Sequence, residues 1–94
     1  MSHEDIRVDR IVLSRKQLRA LLLMEKHRGV TDTLHIAGNT GKSLNRWGLV
    51  FIHRTGDKDE GTSISYELST RGKQWLNHYH MLVDKGRERS IIKR

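Results

Sequence analysis

The chain has 94 residues, a formal net charge of +7 and no cysteine. A chain of this length can bury only one compact core, so a single domain is expected. The absence of cysteine excludes a disulfide framework and a thiolate metal site, and it favours an intracellular setting. No apolar run approaches the roughly 20 residues that span a bilayer, and the N-terminus lacks the basic start and apolar middle of a signal peptide.

The positive charge is unevenly distributed. Residues 14–48 and 70–94 each carry a net charge of +5, whereas residues 49–69 carry −2. A basic surface concentrates polyanions, of which nucleic acid is the commonest inside a cell. The alternative is a charged surface that serves solubility alone.

The first predicted helix follows a polar N-terminal arm. Residues 1–13 form this arm, in which an alternation of Ile6 and Val8 allows a short strand. Ser14 and Gln17 then match a capping box, and apolar residues recur at helical spacing on one side. These residues are Leu18, Leu21 and Leu22, with Glu25. The pattern predicts a helix from about Arg15 to His27 that stops at Gly29.

Two shorter helices are predicted next. The first runs from Asp32 to Ala37, with Leu34 and Ala37 inward and Gly38 as its end. The second runs from Thr40 to Trp47, with Leu44 and Trp47 inward. Its outer side would carry Lys42, Ser43, Asn45 and Arg46.

A strand, a turn and a second strand follow the third helix. Gly48 suits the left-handed conformation that ends a helix, and residues 49–53 form an apolar run of strand length. Residues 55–63 lack apolar side chains and contain two glycines, so a turn is predicted there. Ile64, Tyr66 and Leu68 alternate with polar residues, as a half-buried return strand requires.

The closing helix is predicted from Thr70 to about Asp84, with Ser69 or Thr70 as its cap. Its apolar stripe is broader than one small domain needs to bury, which predicts a homodimer surface on this helix. The residues of that surface are Trp75, Tyr79, Leu82 and Val83. Residues 85–94 form a basic C-terminal tail, which is either a frayed helix end or a phosphate-contacting arm.

Other functional patterns are weaker. The segment Gly38-Asn39-Thr40-Gly41-Lys42-Ser43 partly matches a phosphate-binding loop, but Ile36 stands where that motif needs glycine. A helix cap followed by a basic helix explains the same residues. The six histidines show no metal-binding spacing, and no nucleophile, base and acid form a catalytic pattern. We therefore expect no metal, no cofactor and no enzymatic activity.

The second half of the chain resembles winged-helix transcription regulators of the MarR and PadR type. The resemblance is carried by Gly48-Leu49-Val50, a basic strand end at Arg54, an acidic wing tip and Leu68-Ser69-Thr70-Arg71-Gly72. It implies an α+β, mostly α, winged helix-turn-helix domain over residues 14–84. The implied order is three helices, a two-stranded wing hairpin and a C-terminal helix.

The resemblance also implies a mode of DNA binding. The third helix would enter the major groove, and the wing would touch the backbone or the minor groove. By position, the third helix would supply Thr40, Lys42, Ser43, Asn45 and Arg46, and the wing would supply Arg54 and Lys58. This recognition helix is about one turn shorter than in the family, and Gly61 and Thr62 occupy the places of the family's wing arginines. Contact with DNA is therefore expected mainly from the third helix and the basic ends.

The predicted function is double-stranded DNA binding by a small transcriptional regulator or architectural protein. It would act as a homodimer in the cytoplasm, associated with the nucleoid. The alternative is a winged-helix module for protein–protein interaction, such as a phage or plasmid factor that binds host machinery.

Overall fold

A computed structural model describes residues 7–27, 30–32, 36, 38–57 and 61–93 of the chain. Within them, three α-helices and three β-strands follow one another in the order α1 (Arg15–Lys26), β1 (Val30–Asp32), α2 (Gly38–Arg46), β2 (Val50–Asp57), β3 (Gly61–Leu68) and α3 (Thr70–Asp84). Short 3₁₀ turns at Val8–Arg10 and Glu88–Ile91 flank this series. The fold is a small α+β arrangement with more helix than strand, as predicted. None of the described helices has both the length and the apolar composition needed to cross a bilayer.

The strands form one antiparallel sheet in the order β1-β3-β2. β2 and β3 pair along their whole length, from Val50 opposite Leu68 to Asp57 opposite Gly61. Because side chains alternate between the two faces of a strand, one face of this hairpin is apolar. Its residues belong to the core or pack against it: Val50, Ile52, Ile64, Tyr66 and Leu68. On the opposite face of β2, Phe51 is 53% exposed.

The first helix forms where its cap and apolar spacing predict it. The Ser14 hydroxyl accepts a hydrogen bond from the Gln17 backbone N–H at 3.2 Å, and the Ser14 N–H donates to Gln17 Oε1 at 2.8 Å. This confirms the capping box. One face of α1 is buried in the core, through Gln17, Leu18, Ala20, Leu21 and Met24.

The prediction of a helix from Asp32 to Ala37 was wrong at its first residue. Asp32 lies in β1, where it pairs with Ser65 of β3, and Gly38 begins α2 instead of ending an earlier helix. Pairing with β3 satisfies backbone groups that a sheet edge would leave open, and this tertiary contact outweighs the local helix signal. Ile36 is buried, while Leu34 and Ala37 lie outside the described residues.

The hairpin is longer than predicted. Residues 55–57 and 61–63, which were assigned to the turn, lie in paired strands, and the connection at 58–60 is outside the described residues. Continuous backbone pairing extends these strands although their sequence lacks apolar residues. The predicted N-terminal strand is also corrected. Ile6 is outside the described residues and Val8 lies in a 3₁₀ turn.

The closing helix spans the residues predicted for it. Ser69 is its N-cap, and its hydroxyl accepts the Gly72 N–H at 3.0 Å. Trp75 is fully buried, and its indole N–H donates to the Ile11 carbonyl at 3.0 Å. Trp75 therefore packs inside its own chain, which corrects its assignment to a dimer surface. The N-terminal segment supplies the cover that the sequence pattern did not predict.

The C-terminal segment returns to the core after α3. Ile91 is buried, and Ile92 forms a parallel bridge with Leu13. The Leu13 N–H donates to the Ile91 carbonyl at 3.0 Å, and the Lys93 N–H donates to the Leu13 carbonyl at 2.8 Å. Residues 88–93 therefore pack with the N-terminal segment as part of the folded domain.

Candidate nucleic-acid interface

The orientation of α2 is fixed by its buried side. Leu44 is fully buried, and Gly41 lies directly against the Tyr66 ring of β3. At its end, the Leu49 N–H donates to the Leu44 carbonyl at 3.1 Å and the Gly48 N–H donates to the Asn45 carbonyl at 2.9 Å. These two bonds form a Schellman motif around Gly48, whose φ is 73°. The helix therefore has one defined outward face.

Two of the predicted groove-facing residues have structural partners. Ser43 Oγ accepts a hydrogen bond from Gln17 Nε2 at 2.9 Å and donates to the Thr40 carbonyl at 2.8 Å. Asn45 Nδ2 donates to the Val50 carbonyl at 2.9 Å. Because these polar groups bond within the protein, Ser43 and Asn45 position α2 against α1 and β2. Thr40 is half-buried on the same helix.

The outward face of α2 is polar and basic. Asn39, Lys42 and Arg46 are exposed and recur at i, i+3 and i+7, so they share one side of the helix. Neither Lys42 nor Arg46 forms an ion pair or a side-chain hydrogen bond within the described part of the chain. Asn39 was missed from sequence because the helix was predicted to begin one residue after it. A start at Gly38 would have placed it on the same side.

The hairpin of β2 and β3 contributes one described cation. Arg54 lies on the same sheet face as Val50 and Ile52, two residues nearer the hairpin tip, and it is exposed. It therefore emerges on the side of the sheet where the helices pack. The other predicted wing residue, Lys58, lies outside the described residues.

The start of α3 holds the end of α2 in place. The Ser69 hydroxyl donates to the Gly48 carbonyl at 2.6 Å, and the Ser69 N–H donates to the Leu49 carbonyl at 3.0 Å. Arg71 Nε donates to the Trp47 carbonyl at 3.0 Å. These bonds give the Leu-Ser-Thr-Arg-Gly motif a physical role, because they fix α2 relative to the hairpin of β2 and β3.

The predicted dimer surface is reduced to the far end of α3. Tyr79 and Leu82 are half-buried against the core, while Val83 is 42% and Met81 is 45% exposed. Tyr79 stacks on Trp75 with ring centroids 5.8 Å apart. Val83 therefore leaves apolar area exposed on the side of Tyr79, whereas Met81 is exposed on another side of the helix.

Two of the histidines and the glycine-rich segment have structural roles. His53 contacts Glu67 at 3.0 Å and His80 contacts Glu25 at 2.9 Å, both at the surface. No group of three His, Asp or Glu side chains suited to a metal ion occurs among the described residues. Residues 38–43, which partly match a phosphate-binding loop, lie within the helix α2.

Comparisons with family models, with curated protein sequences and with solved structures gave no significant match. The chain's own residues therefore carry the case for its function.

Proposed function

We propose that this protein binds double-stranded DNA as a winged-helix protein of the kind it resembles, with α2 as the recognition helix. The observation that carries the proposal is the outward face of α2. Lys42 and Arg46 are exposed and unpaired there, beside the exposed amide of Asn39. Lysine and arginine bind phosphates and guanine edges, and asparagine pairs with adenine.

The size of α2 suits this role. With its side chains an α-helix is about 10 to 12 Å across, which fits the major groove of about 12 Å, and the nine residues of α2 extend about 13.5 Å along it. Inward groups on the helix hold it rigidly, since Leu44 is buried and Ser43 and Asn45 bond to neighbouring elements. A rigid helix pays little ordering entropy when it docks.

The acidic hairpin limits how the wing takes part. Residues 49–69 carry a net charge of −2, so phosphates would repel most of this segment. Among the described residues of the hairpin, Arg54 is the exposed cation on the helix-covered side, and it is the wing contact in this proposal.

A homodimer would strengthen this binding. The end of α3 leaves Val83 more than two-fifths exposed, with half-buried Tyr79 and Leu82 on the same side of the helix. Pairing two such ends would remove apolar area from water at about 25 cal/mol per Å². A two-fold dimer would place two α2 helices on half-sites about one helical turn apart. In this proposal the protein acts in the cytoplasm on the cell's DNA, as a regulator or an architectural protein.

Fluorescence anisotropy with a labelled duplex at several salt concentrations tests the proposal. Three phosphate contacts, from Lys42, Arg46 and Arg54, predict a slope of log affinity against log salt of about −2.7 for each protomer. Lys42→Ala and Arg46→Ala should each reduce the steepness of that slope by about 0.9. Lys85→Ala is the matched control, because Lys85 is an exposed lysine at the end of α3.

One observation favours a second function. Phe51 is 53% exposed on β2, which is an edge strand of the described sheet. Edge strands with an apolar side chain can pair with a segment of another protein. Absence of duplex binding at low salt in the same assay would reject the DNA proposal and favour a protein-interaction module.

A further inference from the structure

A half-open groove lies on the side of α1 next to the C-terminal segment. Its volume is about 760 Å³, within the range of roughly 300 to 1,000 Å³ that is usual for small-molecule sites. It is lined by Arg15, Leu18, Arg19, Glu88, Arg89, Ile92 and Lys93. The groove lies outside the outward face of α2.

The groove is assembled from two distant parts of the chain. Residues 15–19 belong to the first turns of α1, and residues 88–93 follow α3. The backbone bonds from Leu13 to Ile91 at 3.0 Å and from Lys93 to Leu13 at 2.8 Å join these parts. The positions of the lining residues are therefore set by the fold and not by chance approach of a loose end.

The charges in the groove lack protein partners. Arg15, Arg19, Arg89 and Lys93 are exposed, and none of them forms an ion pair within the described residues. Four cations around one carboxylate give the lining a net charge of +3. Like charges held together repel one another, so an anion in the groove would relieve their repulsion.

The single carboxylate in the groove is also incompletely bonded. Glu88 Oε2 is buried and has no hydrogen-bond partner within the described residues. A buried acceptor without a partner costs free energy, and a donor group on a ligand would recover it once the side chains that cover this oxygen move aside. Leu18 and Ile92 add an apolar part of the lining. The groove thus offers cations for an anion, an acceptor for one donor and an apolar surface for a ring.

We infer that this groove binds a small phosphate monoester that also carries an N–H donor and a flat ring, as a purine mononucleotide does. The phosphate pairs with the arginines and Lys93, and the N–H group donates to Glu88. A duplex backbone fits this lining less well, because it offers phosphates without N–H donors and Glu88 repels them. The site is independent of DNA binding through α2.

Isothermal titration calorimetry on the full chain tests this inference with two ligands, guanosine 5′-monophosphate and ribose 5-phosphate. Ribose 5-phosphate carries the phosphate and the sugar but lacks the purine base and its N–H groups. The mononucleotide should bind at least about ten-fold more tightly than ribose 5-phosphate. Equal affinities, or no heat from either ligand at millimolar concentration, would overturn the inference.

Substitutions of the groove residues test which side chains bind the phosphate. Arg15→Gln and Arg89→Gln should each weaken the mononucleotide about ten-fold or more, because charge-assisted bonds to phosphate are lost. Lys26→Gln is the control, an exposed cation on α1 that does not line the groove. Circular dichroism melts check that each variant is folded. If Lys26→Gln lowered the affinity for the mononucleotide as much, the attraction would be a nonspecific effect of charge and the site would be rejected.

If Glu88 accepts the N–H group, the substitution Glu88→Gln should change the affinities of the two ligands in opposite directions. Glu88→Gln should weaken the mononucleotide and strengthen ribose 5-phosphate, because it removes both a strong acceptor and a repelling charge. Strengthening of both ligands would contradict the assigned N–H contact. A 12-base-pair duplex completes the test. If Arg15→Gln weakened the duplex as much as Lys42→Ala does, the groove would be a DNA surface and the inference would fail.

Discussion

The substitution Gly72→Ala tests how closely the first turn of α3 approaches the loop after α2. A Cβ atom at position 72 would meet the Leu49 carbonyl oxygen, and it would lie 3.1 Å from Leu68 Cδ2 and 3.2 Å from the Leu49 carbonyl carbon. Two of these three atoms belong to the backbone, which cannot move aside as a side chain does. The substitution must therefore push α3 away from residue 49.

The expected cost follows from the bonds at this junction. Alanine in place of glycine inside a helix favours folding by about 1 kcal/mol. Overpacking costs about 1 to 3 kcal/mol. Displacement also strains the Ser69 N–H bond to Leu49 and the Gly72 N–H bond to Ser69, each 3.0 Å long and worth about 1 kcal/mol. The sum is a net loss of about 2 to 4 kcal/mol, or about 10 to 30 °C in Tm for a domain of this size.

Thermal and urea unfolding followed by circular dichroism measure this loss. Gly38→Ala is the matched control, because Gly38 begins α2 and a Cβ there would meet nothing within 4 Å. That variant should be neutral or more stable by up to about 1 kcal/mol. If Gly72→Ala proved as stable as the wild type, α3 would not approach Leu49 as described, and the position of α2 relative to the β2–β3 hairpin would be in error.

Three further outcomes are expected. In urea unfolding, Leu44→Ala should lower the free energy of unfolding by about 2 to 5 kcal/mol, whereas Lys42→Ala on the outward face of α2 should change it by less than about 0.5 kcal/mol; similar losses would mean a different helix phase. Ser69→Ala should cost about 1 to 2 kcal/mol in the same assay because it removes the cap of α3 and the bond to Gly48, and the exposed neighbour Thr70→Ala should cost much less. By light scattering at tens of micromolar, the wild type should be a dimer and Val83→Glu a folded monomer; a monomeric wild type would contradict the proposed α3 surface.

The elements with local signals could be predicted from the sequence. The capping box at Ser14, the cap at Ser69 and the left-handed Gly48 are short-range patterns, and each was confirmed. Their hydrogen bonds join residues three to five positions apart, or require only a glycine that tolerates positive φ. For the same reason the bounds of α3 were predicted correctly.

Tertiary pairing decided the elements that the sequence misassigned. β1 contains three residues and is a strand only because β3 offers it an open edge. The hairpin continues through residues that lack apolar side chains because backbone hydrogen bonds pair them across the ladder. No local pattern records either pairing, since both partners must first be brought together.

The candidate sites divide in the same way. The helical period determined that Lys42 and Arg46 face outward, because it depends only on spacing along α2. The spacing could not show that Ser43 and Asn45 bond within the protein. Their partners, Gln17 and Val50, are brought beside them by the fold. The burial of Trp75 under Ile11, and the groove between α1 and the C-terminal segment, arise from contacts between residues more than 60 positions apart. Such contacts form when a single small core closes over residues 11–13 and 88–93, and no local pattern along the chain encodes them.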